Sequence, residues 1–282
     1  AKTLPERHIT WTIVEDHVDK NLLFLGTEFG LFFSNNGGNS WIQLKGNVPT
    51  VAVRDLEIQE RENDLVVATF GRGFLILDDY SPLRNATVKA LSQEAILYPV
   101  KDTWMYHPAS IIGGEKGSQG DSYYTAPNPP HGAVFTYYLK ESYRSLKQQR
   151  KSEERAALRA GKDVTFPDWE TLKKEDFEEA PAVILMVNDS DGNLVQTLRG
   201  ANRNGFHRFS WDLSLAGIGG RRGGPMVLPG TYSVTLYKMI DGELTQLSEK
   251  QLFELKPLGL ATLPAQDMAA KLHFLKDAGK LQ

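Results

Sequence analysis

Between residues 9 and 80 the apolar positions come in short runs of Val, Ile, Leu, Phe and Thr, broken at close intervals by Asn, Gly and Asp. This rhythm predicts short strands joined by tight turns. One run repeats. Leu22-Leu23-Phe24-Leu25-Gly26-Thr27-Glu28-Phe29-Gly30-Leu31-Phe32-Phe33 is echoed by Leu65-Val66-Val67-Ala68-Thr69-Phe70-Gly71-Arg72-Gly73-Phe74-Leu75-Ile76. The echo comes about 40 to 45 residues later, the period of propeller blades. A blade buries both faces only when neighbours stack on it, so about two blades within 1–85 imply further blades, supplied upstream or by a separate chain. The first residues carry no basic stretch followed by an apolar one, and the chain reads as a fragment or a processed form.

Downstream the pattern changes twice. Residues 86–131, with the Gly/Ser/Asn/Pro-rich Gly113 to Pro130, read as a linker wrapping the propeller. Residues 132–257 return to strand periodicity at Ala133 to Leu139, Pro181 to Val187, Leu194 to Leu198, and 232–239 and 244–255, predicting a small β-sandwich. It is interrupted at 140–178 by a densely charged insertion with helix formers at Glu153 to Arg159, read as a solvated excursion because both charge signs interleave. Phe206, Phe209 and Trp211 do not strictly alternate, which predicts a bulge near His207. Within 258–282, Met268, Leu272 and Leu275 predict a helix over Pro264 to Ala278, capped by Thr262 and stopped by Gly279. The expected fold class is all-β: a partial propeller, then an Ig-like sandwich with a charged helical insertion and a C-terminal helix.

Composition narrows the chemistry. Lys and Arg total 32 against 35 Asp and Glu, a net charge of -3, so no overall field draws in nucleic acid, and none is expected as a partner. Absence of cysteine excludes disulfides and thiolate chemistry, and the longest apolar runs are too short to span a membrane as helices. The six histidines are scattered without ligand spacing, and no catalytic residue, metal or cofactor is expected. Asp189, Asp191 and Asn193 imitate the start of a calcium loop, but Gly200 stands where the distal Glu would be, and a hairpin is the better reading. Gly217 to Gly224 resembles a phosphate cradle but leads into Pro225 and a strand rather than a helix. Asp78 and Asp79, adjacent at a strand end, point to opposite faces and read as a turn feature rather than a glycosidase pair.

Ser34-Asn35-Asn36-Gly37-Gly38-Asn39-Ser40-Trp41 resembles the Asp-box of BNR-repeat propellers, with Asn36 where Asp is usual. In that reading Ser34, Asn36, Gly38 and Ser40 shape a hairpin, and Trp41 plugs the core. Together with Ala68 to Arg84, it is similar to the end of the propeller in bacterial secreted proteins related to sortilin-type propellers and labelled glycosyl hydrolase BNR repeats. Gly205 to Asp212 and Leu228 to Tyr237 resemble the Ig-like module of flagellar hook-capping proteins. The resemblance implies a secreted, periplasmic or cell-surface protein. Its expected role is non-catalytic, with the missing blades and a protein or glycan ligand as partners. Two alternatives stay open: the C-terminal part of a sialidase-like propeller hydrolase, or a peptide-binding sortilin-like propeller. Glu28, Arg54 and Arg72 are the candidate ligand contacts on the propeller face.

Overall fold

A computed structural model describes residues 3–6, 8–108, 126–216, 224–259 and 267–279. The fold is all-β, a partial propeller and an Ig-like sandwich, and the chain divides into two compact units, Ala1–Ser92 and Gln93–Gln282.

In the first unit β1 (Thr10–Glu15), β2 (Leu23–Thr27), β3 (Gly30–Ser34) and β4 (Ile42–Leu44) form one antiparallel sheet in sequence order. A second sheet holds β5 (Val53–Gln59), β6 (Asp64–Thr69) and β7 (Phe74–Leu77). They share a core in which Leu22, Phe24, Leu31 and Phe33 meet Val53, Leu56, Leu65, Val67 and Tyr80. A Cβ on Gly26 would lie 2.7 Å from Val53 Cγ1 and 2.9 Å from the Val53 carbonyl oxygen, so only glycine fits there. On the other face of the first sheet, Leu25, Phe32 and Trp41 form a smaller cluster with Leu4 and Leu23. Burial on both faces explains why β2 and β3 read as unbroken apolar runs.

The pairing refines the repeat. The β2–β3 hairpin closes at Thr27 and Gly30 around two residues, whereas Thr69 bonds the Gly73 carbonyl around the three residues Phe70 to Arg72. The extra turn residue shifts the equivalence within β6 by one, so Leu23 and Leu25 correspond to Leu65 and Val67, while Leu31 and Phe33 correspond to Phe74 and Ile76. An ungapped alignment of the echo hides this.

After β7, the short helix α1 (Pro82–Asn85) brings Arg84 back to the β1–β2 connection. The fully buried Asp16 carboxylate accepts from Arg84 Nε at 2.7 Å and Nη2 at 2.8 Å, from Tyr80 Oη at 2.6 Å and from the Asp19 amide at 2.8 Å. Burial alone would raise the Asp16 pKa, but these donors outweigh it and hold the group at about 2. Asp79 helps form the same turn: its amide donates to Asp64, and its carboxylate accepts from Ser81 Oγ at 2.6 Å.

In the second unit β8 (Ala95–Leu97), β10 (Ala133–Leu139) and β13 (Gly205–Trp211) form a three-stranded sheet, ordered β13-β10-β8. The facing sheet runs β12 (Leu194–Gly200), β11 (Ala182–Asn188), β14 (Gly230–Ile240), β16 (Gln251–Pro257) and β9 (Thr103–Met105), with β15 (Glu243–Gln246) also on β14. Phe135, Tyr137, Leu139 and Trp211 from the first sheet pack with Val183, Leu185, Val234 and Phe253 from the second. The stretch 86–131, expected as a linker, thus supplies two sandwich strands, β8 and β9, each of three residues and too short to show alternation in sequence. The bulge expected near His207 is absent: β13 pairs with β10 in continuous register from Gly205 opposite Leu139 to Trp211 opposite Ala133. The aromatic residues serve both faces, with Phe206 outward beside Tyr98 and Tyr138, and Trp211 in the core.

The charged insertion folds as α2 (Leu146–Arg159) and α3 (Trp169–Phe177). Ser145 and Gln148 close a capping box at the start of α2, and Asp168 caps α3. The last helix, α4 (Met268–Gly279), starts after Asp267, whose carboxylate accepts from the Ala270 amide. Thr262, the expected cap, lies outside the described residues, as does most of the Gly217 to Gly224 loop.

Candidate functional site

The turn from Ser34 to Trp41 turns its polar atoms inward. Ser34 Oγ donates to Asn36 Oδ1 at 2.8 Å and accepts from the Gly38 amide at 2.9 Å. Asn36 Oδ1 also accepts from the Ser40 amide at 3.0 Å, and Asn36 Nδ2 donates to Ser40 Oγ at 2.7 Å. Gly37 and Gly38 both take positive φ, 66° and 83°, which side chains disfavour. Trp41 packs against Leu25 and Phe32, and its amide donates to Thr3 Oγ1 at 2.6 Å. These bonds close the turn on itself.

A second constellation faces outward. The first strand of each sheet carries an irregularity at the same point: β1 shifts register between Thr10 and Thr12, and β5 between Val53 and Asp55. Thr10 and Val53 face Thr27 and Thr69, so the extra residues, Trp11 and Arg54, are equivalent. A bulge re-aims its extra side chain out of the alternation. Here two successive bulges bring Arg54 Cζ to 3.8 Å from the Trp11 ring centroid, with Phe70 at 5.3 Å. Both rings are exposed, and Arg54 has no hydrogen bond or ion pair among the described residues. A guanidinium held by ring faces keeps its in-plane donors free for a carboxylate or another planar acceptor, while the rings offer apolar contact.

Glu28 and Arg72 sit in the turns at this same end. The Glu28 amide donates to Ile9 O at 2.9 Å and the Phe70 amide to Ala52 O at 2.8 Å, tying each turn to the residue ahead of the first strand of its sheet. The side chains of Glu28 and Arg72 also make no hydrogen bond or ion pair among the described residues. The structure therefore gathers the three candidate contacts at one end of the first unit, with Arg54 clasped by Trp11 and Phe70. Sequence reading missed Trp11 because nothing local marks a bulge in a strand so short.

Elsewhere, Asp189 Oδ1 accepts from the Asp191 and Asn193 amides at 3.0 and 2.8 Å, closing the β11–β12 hairpin. Among the described residues no group of three His, Asp or Glu side chains is placed to hold a metal ion, and no helix is long and apolar enough to cross a membrane.

No family model matches this chain. No curated protein matches it either. Among solved structures it is similar to the extracellular domain of the putative hybrid two component system BT3049 from B. thetaiotaomicron, at 9% identity and TM-score 0.24, covering 91% of this chain and 27% of that one. It is also similar to the extracellular domain of the putative one component system BT4673 from B. thetaiotaomicron, at 12% identity and TM-score 0.22, covering 90% and 26%. Dimeric latent PorU from Porphyromonas gingivalis matches at 11% identity and TM-score 0.29, covering 89% and 20%. The chain spans about a quarter or less of the length of these structures.

Proposed function

We propose that the chain is a non-catalytic part of a secreted or cell-surface BNR-type propeller protein. Its first unit supplies two blades to a larger propeller and presents Arg54, Glu28 and Arg72 to a protein or glycan ligand, and its second unit is an accessory sandwich. The observation that carries this reading is the match between burial and stacking. Where one sheet meets the other, Leu56, Leu31 and Phe33 are 4%, 1% and 6% exposed; their equivalents on the outer faces, Ile13, Phe74 and Ile76, are 58%, 74% and 62% exposed. The outer face of the second sheet, and the first sheet at Ile13 beside its covered Leu25, Phe32 and Trp41, thus carry residues that stacking buries, and further blades are the partners that would cover them. The Arg54 clasp supports ligand contact at the end of such a propeller; nothing in it singles out hydrolysis or peptide binding.

Light scattering on the 282-residue chain, alone and with the longest available parent, tests the reading. Self-association of the chain, relieved when upstream sequence is present, is the expected result. A stable monomer whose Phe74 and Ile76 stay open to solvent would overturn it.

A further inference from the structure

The charges of the insertion, interleaved in sequence, separate in space. On the face of α2 toward α3, Arg150 pairs with Glu154 and Glu175, its Nη2 lying 2.8 Å from Glu175 Oε2, and Lys147 stands 4.0 Å from Asp176. Glu178 is also engaged, accepting from the Leu146 amide at 2.7 Å. These contacts draw Glu154, Glu175, Asp176 and Glu178 to one side. Gln148, Lys151, Ser152 and Arg155 recur at steps of three and four residues and so share the other face.

That face, with the loops leading into α2 and into β13, lines a cavity of about 560 Å³ whose charged residues are Arg144, Lys151, Arg155 and Arg203, with no carboxylate. Lys151, Arg155 and Arg203 make no side-chain hydrogen bond or ion pair among the described residues, and Lys151 reaches Glu175 only through longer-range electrostatics. The frame is fixed: Asn202 Nδ2 donates to the carbonyls of Tyr143 and Pro181, both at 3.0 Å, and Ser142 and Asn204 bond each other. Four like charges held around one hollow repel one another, and a multiply charged anion would relieve that repulsion.

We propose that this cavity binds an acidic oligosaccharide, its sulfate or carboxylate groups pairing with the four cations and its hydroxyls with the intervening amides and hydroxyls. The volume suits a small ligand rather than an extended strand. Its lining has one aromatic residue, Tyr143, whose hydroxyl is already bonded to Glu94, so there is no row of rings on which bases would stack. It has no apolar wedge for a bilayer. Ser142, Gln148, Ser152 and Asn204 lie among the charges, and although Ser142 bonds Asn204, Gln148 the Ser145 amide and Ser152 Arg144, the side-chain amides and the Ser152 hydroxyl keep further donors for a hydroxyl-rich ligand. The assignment stands on the second unit alone, and its failure would leave the reading of the first unit untouched.

Calorimetric titration of the whole chain with a heparin-derived sulfated disaccharide at low salt is the test. Binding is expected to weaken at least tenfold in Lys151→Ala/Arg155→Ala, to change less than twofold in Lys147→Ala, which stands beside Asp176 and outside the cavity lining, and to fall away with the desulfated sugar. Circular dichroism checks the helices, and Arg203→Ala, outside α2, serves as a second variant if the double one loses helix. No binding, equal loss in Lys147→Ala, or equal binding of the desulfated sugar would overturn the proposal. So would a single-stranded DNA oligomer that binds as tightly and depends equally on Lys151 and Arg155.

Discussion

The two sheets of the first unit come from one repeated pattern and end in different surroundings. The β3 residues Leu31 and Phe33 are covered because the second sheet lies against them, while the equivalent Phe74 and Ile76 of β7 are largely exposed. Apolar character at these positions is set by the repeat, whereas burial is set by what stacks on it. In the proposed larger propeller, the exposed Phe74 would mark a face that a further blade covers rather than a local defect.

The largest expected effect breaks the comparison at its core. Phe24→Ala empties the shared core and is expected to cost about 3–5 kcal/mol in denaturant unfolding. Phe74→Ala is expected to change stability by less than about 0.5 kcal/mol while reducing self-association. A large loss from Phe74→Ala would mean that its face is already covered.

Next in size is the Asp16 lock, which holds the end of the second sheet to the first. Its folded pKa of about 2 lies below the unfolded value, so the stabilisation is complete above about pH 4 and is lost as pH falls toward 2. Two pKa units correspond to about 2–3 kcal/mol. Acid titration of stability should show this slope, and Asp16→Asn should flatten it.

The repeat, the strand periodicity and the insertion helix were legible because each depends on spacing along the chain. The lock was not: Asp16, Tyr80 and Arg84 meet only after two sheets stack, and no local spacing joins them. β8 and β9 escaped because three residues cannot establish a period, and the His207 bulge was over-read from aromatic residues that serve two faces. The basic face of α2 was readable at helical spacing, yet the interleaved signs in linear order concealed it. Of the candidate contacts, Arg54 and Arg72 were found by type; the Trp11 clasp needed the paired bulges.

A smaller effect concerns the turn that only the first sheet possesses. Asn36→Ala removes acceptors for Ser34 and the Ser40 amide and is expected to cost about 1 kcal/mol in thermal or chemical unfolding. Asn36→Asp should change stability by less than about 0.5 kcal/mol, because the Ser40 hydroxyl can rotate to donate to the new oxygen. A cost for Asp equal to that for Ala would show that the Asn36 amide donor, rather than its oxygen, closes the turn.

The smallest effect lies where the sheets present equivalent bulges at one end of the first unit. Arg54 stands closer to the Trp11 ring than to Phe70, 3.8 against 5.3 Å, so the first sheet should hold it more firmly than its own. Exposed cation–π pairs contribute about 0.5–1 kcal/mol. A double-mutant cycle between Trp11→Ala and Arg54→Ala should therefore yield a coupling in that range, and the cycle with Phe70→Ala a smaller one. Measured on the folded chain by denaturant unfolding, equal couplings would mean that Arg54 is held by its own sheet. No coupling in either cycle would mean that the guanidinium is free, and that the paired bulges align two side chains without joining them.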